Sequence, residues 1–245
     1  GTLAAKIKGC GFDALVLKGK AESLIWLAVT ESGVEFKDGV PIKGVETSGA
    51  EAHILEHSAN GAGALVIGPA GENLVRFACI KSDRWRSLGR GGLGAVFGSK
   101  NLKGITFAGN KPCPIADEQR LTDLIKKVSN KGSEAPVTKM YQKFGTPMMV
   151  RITNAQNCFP TRYWQSGHFE KWKNLSADYM QEHFEIKSKG CPPCFLRCTK
   201  HSKILSGRHT DLEIEGPEYE TIYALGGLNG IDSLEEVAWL EKPPD

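Results

Sequence analysis

Ile105-Thr106-Phe107-Ala108-Gly109-Asn110-Lys111-Pro112-Cys113-Pro114-Ile115-Ala116 is the stretch at which the character of this chain changes. Before it, short apolar runs at residues 14–17, 24–29, 64–67 and 105–108 are each bounded by glycine or a charged pair, the pattern of β-strands between turns. One helix interrupts them at residues 48–59, where Ser48 and Glu51 fit a capping box and Asn60-Gly61 supplies a stop. After it the apolar spacing becomes helical: Leu121, Leu124, Ile125 and Val128 share one face, and Gly132 follows the run. Further helices are expected at 137–144, at 176–184 with Ser176 as N-cap, at 217–225, and at 233–240. The last starts on a Ser233–Glu236 capping box and stops at Pro243-Pro244. The predicted class is α+β, with a mixed α/β domain over residues 1–113 and a mainly helical domain over 114–245. No internal repeat is visible.

Composition excludes several classes. The 245 residues carry 31 basic and 28 acidic side chains, a net charge of +3 that is too small and too dispersed to argue for nucleic acid. No apolar run approaches the roughly 18 residues that a membrane span needs. Glycine is in excess, at 28 residues or about 11% against a usual value of about 7%, which suggests tight turns and bare backbone near a ligand. Seven cysteines is an odd number for a disulfide framework. A reducing, cytoplasmic setting is expected instead. The chain begins at Gly1 without methionine and ends soon after a helical pattern has started, so it reads as an interior fragment.

Three of the cysteines lie within Gly190-Cys191-Pro192-Pro193-Cys194-Phe195-Leu196-Arg197-Cys198, a C-x2-C-x3-C pattern. Thiolates are soft anionic donors, and one loop of this spacing can wrap three of them around a metal centre. An iron–sulfur cluster with a fourth ligand from elsewhere is the leading reading. Zinc completed by His201 or His209 is an alternative. Arg197, Lys200 and Lys203 would offset thiolate charge and so raise a cluster's potential, or they are simply solvated. His53 and His57, one helical turn apart, read as surface histidines without a third ligand.

The other dense feature is the glycine-rich segment that runs from Arg84 to Lys103, with Arg86, Gly89, Arg90, Gly91, Gly92 and Gly94 at its centre. Successive glycines let backbone N–H groups converge on an anion, and arginine offers bidentate donors to phosphate. It does not fit the dinucleotide fingerprint, because neither a preceding strand nor a following amphipathic helix and acidic residue is legible, and it lacks the ending of a P-loop. A phosphate site and a tight structural turn both remain open. Gly68-Pro69-Ala70-Gly71-Glu72-Asn73 reads by itself as a turn.

Taken together, these segments resemble the tungsten-containing aldehyde ferredoxin oxidoreductase family. The similarity rests on residues 67–76, on 89–96 with 98–103, on Phe159-Pro160-Thr161-Arg162, on the cysteine loop, and on Gly216-Pro217-Glu218-Tyr219-Glu220-Thr221, in family order. The resemblance implies tungsten or molybdenum held by two pyranopterins whose phosphates are bridged by Mg2+, a [4Fe-4S] cluster, aldehyde oxidation to a carboxylic acid, and ferredoxin as electron acceptor. It implies that Cys191, Cys194 and Cys198 are cluster ligands and that Arg86, Gly89, Arg90, Gly91, Gly92 and Gly94 hold the pterin phosphates. Glu218 would face the metal as a proton-transfer group, with Glu220 as the alternative; a plain helix-start carboxylate is the structural reading. A low-potential reductase of the same superfamily, acting for example on an aromatic thioester, and a non-catalytic iron–sulfur or zinc module are the competing functions. A small-molecule aldehyde substrate is expected, with no nucleic-acid or membrane partner; a homo-oligomer is compatible. The resemblance starts inside the family's first domain and ends less than halfway along a full-length member. The fourth cluster cysteine and the later pterin motifs are therefore expected outside this chain, which alone should be inactive.

Overall fold

Buried strands need apolar side chains on both faces, and the centre of the first unit is built from them. The computed structural model describes residues 1–242, in two units, Gly1–Ala116 and Asp117–Lys242. The first runs α1 (Leu3–Gly9), β1 (Ile25–Thr30), β2 (Gly33–Asp38), α2 (Thr47–Glu56), β3 (Gly63–Val66), α3 (Pro69–Glu72), β4 (Lys81–Ser82), β5 (Arg86–Ser87), α4 (Leu93–Ser99) and β6 (Leu102–Ala108). The strands form one sheet in the order β2-β1-β6-β3-β4-β5. Only the β1–β6 pair is parallel; the others are antiparallel.

Alternation along β1 and β3 divides the core. Leu27, Val29, Leu65 and Ile67 pack with Ile105, Phe107 and Phe97 on one face, and Trp26, Ala64 and Val66 pack with Ile54 and Ile42 on the other. Of the four predicted strands, three form. Residues 14–17 do not: they lie in an irregular segment where Val16 is exposed and only Leu17 touches the core. The predicted capping box of α2 is also replaced. Glu46 is the N-cap and accepts the backbone N–H groups of Ser48 and Gly49, while Glu51 turns inward to accept the N–H of Arg84 at 2.8 Å.

The second unit contains α5 (Glu118–Glu134), α6 (Pro136–Phe144), α7 (Met148–Ala155), α8 (Ala177–His183), β7 (Phe184–Lys189), β8 (Thr199–Ile204), β9 (Glu213–Glu215), α9 (Tyr219–Thr221) and α10 (Leu234–Glu241). Ser176 and Ser233 cap α8 and α10 as their sequences suggest, accepting from the N–H groups of Tyr179 and Glu236. Helix α5 runs through Gly132 rather than stopping before it, and the ring of Phe195 packs against that glycine: a Cβ there would lie 2.2 Å from its Cζ. The helix expected at 217–225 is interrupted. Three α-helical residues pass into a π-turn at 222–226 and a 3-10 turn at 227–229. This half also holds an antiparallel sheet, β7-β8-β9, that was not anticipated from the sequence.

Candidate cofactor and metal sites

In the first unit the hairpin β4–β5 delivers the glycine-rich segment to the start of α4. The segment therefore does lie between strand and helix, contrary to the sequence reading, although both flanking elements are short. Its glycines separate into two groups. Gly89 and Gly91 are exposed, with φ of 36° and 107°, and a side chain added at either would meet nothing within 4 Å. Gly92 and Gly94 are buried against backbone instead: an added Cβ would fall 2.1 Å from the carbonyl oxygen of Arg76 and 2.5 Å from that of Cys79. Gly94 also donates its N–H to the Ala78 carbonyl at 2.9 Å. Glycine at these two positions is accounted for by close packing of the backbone, whereas 89–91 is open loop. Arg90 is exposed and Arg86, in β5, is half-buried. Bare N–H groups with two guanidinium groups nearby suit a phosphate, so this part of the chain fits the anionic end of a pterin.

Residues 68–73 are not a simple turn. Pro69 starts α3, and Gly71 packs on α4 so closely that a Cβ at Gly98 would sit 1.9 Å from the Gly71 oxygen. Glu72 pairs with Lys103, whose ammonium is fully buried and also donates to the Val45 carbonyl at 2.7 Å. Lys103 is therefore turned away from any anion at the glycine loop.

In the second unit the cysteine loop connects β7 to β8. Cys191 and Cys194 are exposed and Cys198 half-buried. Among the described residues, no three His, Cys, Asp or Glu side chains are gathered closely enough to hold a metal ion. The thiols share a loop without converging. The donor chemistry fits an iron–sulfur cluster: three soft thiols on one solvent-facing loop, anchored at one end. The histidines considered for zinc have other partners. His201 lies 3.8 Å from Glu213, and His209 stacks on Trp239 with ring centroids 5.3 Å apart. His53 and His57 stack on each other at 4.3 Å.

The anchored end is at Cys198. Gly145, with φ of 65°, passes so near that a Cβ there would lie 2.7 Å from the Cys198 carbonyl oxygen. Lys200 is only 2% exposed, and its Nζ donates to the carbonyls of Tyr141 (3.1 Å), Gln142 (2.9 Å) and Arg197 (3.2 Å) and to the Ser188 hydroxyl (3.1 Å). Burial lowers the pKa of this ammonium from its usual value, and the charges of Cys198 and Glu218 oppose that shift. The solvated reading of Lys200 is thus excluded. Lys203 does stand at the surface, paired with Asp211 at 2.8 Å.

Glu218 is the N-cap residue of α9, yet its side chain caps nothing in that helix. Its carboxylate accepts a hydrogen bond from the Thr146 hydroxyl, and the same hydroxyl accepts the backbone N–H of Tyr219 at 2.9 Å. The carboxylate is therefore held by a residue from the α6–α7 turn that no motif in the sequence singles out. Arg162 forms a surface pair with Glu170 at 3.1 Å, and its backbone N–H donates to Gly227 at 2.9 Å, tying residues 159–163 to the turn after α9.

Residues 1–109 match the model of the aldehyde ferredoxin oxidoreductase N-terminal domain, and residues 123–243 match that of aldehyde ferredoxin oxidoreductase domains 2 and 3. The tungsten-containing aldehyde ferredoxin oxidoreductases of Thermococcus kodakarensis and Pyrococcus furiosus are 38% and 36% identical to this chain over 239 residues, which is 97% of it. The chain spans 39% of the length of each of these relatives. A solved active-site complex of benzoyl coenzyme A reductase shares the fold with a TM-score of 0.72 at 21% identity, over 97% of this chain and 37% of that one. With the two family models together spanning nearly all of the sequence, this chain belongs to the aldehyde ferredoxin oxidoreductase family.

Proposed function

We propose that the protein to which this chain contributes is a tungsten or molybdenum pyranopterin oxidoreductase that converts an aldehyde to a carboxylic acid. The reaction consumes the aldehyde and one water and releases two protons and two electrons, which ferredoxin would accept one at a time. The observation that supports this reading best is the three-cysteine loop on a chain 36–38% identical to tungsten-containing aldehyde ferredoxin oxidoreductases. When bound, the metal–pterin group supplies the two-electron acceptor and the [4Fe-4S] cluster the one-electron outlet.

The chain's own residues have simpler tasks. Cys191, Cys194 and Cys198 would ligate the cluster, with the fourth ligand from another part of the protein. Arg86, Arg90 and the bare backbone of Gly89 and Gly91 would bind pterin phosphate, with Mg2+ as a further counter-charge, while Gly92 and Gly94 let that loop seat on residues 76–79. Glu218 would take up a proton, with Thr146 holding its carboxylate in one orientation.

The full-length protein, purified without oxygen, should contain iron, tungsten or molybdenum, and phosphorylated pterin, and should reduce a viologen dye when given an aldehyde. Iron without either heavy metal would overturn the proposal. Turnover of an aromatic thioester instead of aldehydes would assign it to the low-potential reductase branch.

A further inference from the structure

We propose that Lys200 is a positioning residue for the iron–sulfur cluster, a fixed buried positive charge beneath the Cys198 end of the loop that holds the cluster's reduction potential up. The inference rests on the cluster reading above. Its evidence is geometric and lies in the chain itself. Lys200 is among the largest fully buried side chains, and its hydrogen bonds go to three main-chain carbonyls and one hydroxyl, all neutral.

Burying a cation among neutral dipoles is unfavourable unless an anion elsewhere compensates. Two groups bring negative charge toward it, Cys198 of the loop and the carboxylate of Glu218, and of these only the cysteine loop would carry a charge that changes with the cluster's redox state. Four acceptors around one nitrogen call for the three donors of an ammonium, and they draw together α6, β7 and the residue before Cys198. The charge therefore cannot swing out into water as those of Lys203 and Arg197 can. When the cluster takes up an electron its net charge becomes more negative by one, so a nearby fixed cation stabilises the reduced form.

The test is an EPR-monitored redox titration of the full-length protein, reading the cluster's midpoint potential. Lys200→Gln should shift it to lower potential. Lys200→Arg, which keeps the charge, should leave it near the parent value, as should Lys203→Gln at the surface. Lys200→Met, which removes the charge with an unbranched side chain of similar length, should lower the potential too and decides the matter should Lys200→Gln fail to retain iron. A parent-like potential in the variants expected to lower it, where they keep their cluster, would overturn the role of Lys200 while leaving the cluster reading intact. An equal fall in Lys200→Arg would overturn it too, since geometry rather than charge would then be responsible. A parent protein without any cluster signal would overturn both.

Discussion

The hydroxyl of Thr146 serves two partners at once, donating to the Glu218 carboxylate and accepting the N–H of Tyr219. Losing the donor frees the carboxylate to rotate; losing the acceptor leaves the first turn of α9 uncapped. Thr146→Val should therefore slow aldehyde turnover in the full-length protein, by about tenfold or more, whereas Thr146→Ser should retain most of it. Glu218→Gln should lose about 10²–10⁴-fold, the range of a missing proton-transfer group. If Thr146→Val changes thermal stability alone, the hydroxyl is a cap and not a positioning group. A buried carboxylate, Glu51, tests the electrostatics of the first unit. Burial raises the pKa of Glu51, the Asp83 charge adds to that, and the N–H of Arg84 opposes it. A carboxyl whose folded pKa is raised favours the fold while protonated, and that contribution disappears as pH rises through the folded value. The stability of Glu51→Gln relative to the parent should thus increase with pH above the usual carboxylate range, measured by denaturant unfolding at a series of pH values.

At the scale of elements, α3 and α4 meet through glycines, with the Gly71 carbonyl occupying the space that a Cβ at Gly98 would need. Gly98→Ala should cost about 3 kcal/mol or more, because a backbone contact cannot move aside as a side chain can. Gly89→Ala, in open space at positive φ, should cost about 1 kcal/mol. Comparable losses in thermal unfolding for the two variants would show that the split between packing and open glycines is wrong. Which elements could be read in the sequence follows from the same physics. Strands β3 and β6 are both buried along nearly their whole length, and β3 appears as a continuous apolar run. Strands β7 and β8 alternate with lysine, serine and glutamate, and β8 even turns Lys200 inward, so an apolar pattern has little to report. The run at 14–17 is apolar but lies outside the ladder. The cysteine loop was legible because its ligands are neighbours in sequence. Thr146 was not, because 72 residues separate it from Glu218 and only the tertiary fold joins them.

At the scale of the whole molecule, the proposed ligands divide between the two units: the phosphate loop at 89–91 belongs to the first and the cysteine loop at 191–198 to the second. Each unit has its own sheet, and the hydrogen bonds that position each loop come from within its own unit. Loading of the two cofactors should then be separable by mutation in the full-length protein. Cys194→Ser should lower iron content and remove the cluster's EPR signal while tungsten or molybdenum stays near the parent level. Arg90→Gln, which removes a guanidinium from an exposed loop and disturbs no packing, should do the reverse, with metal and pterin falling several-fold and iron retained. Paired metal and pterin analysis of the two variants decides it. Joint loss of both cofactors in either variant would mean that the loops fold as one cooperative site, and assignment of separate ligand sets to the two units would fail.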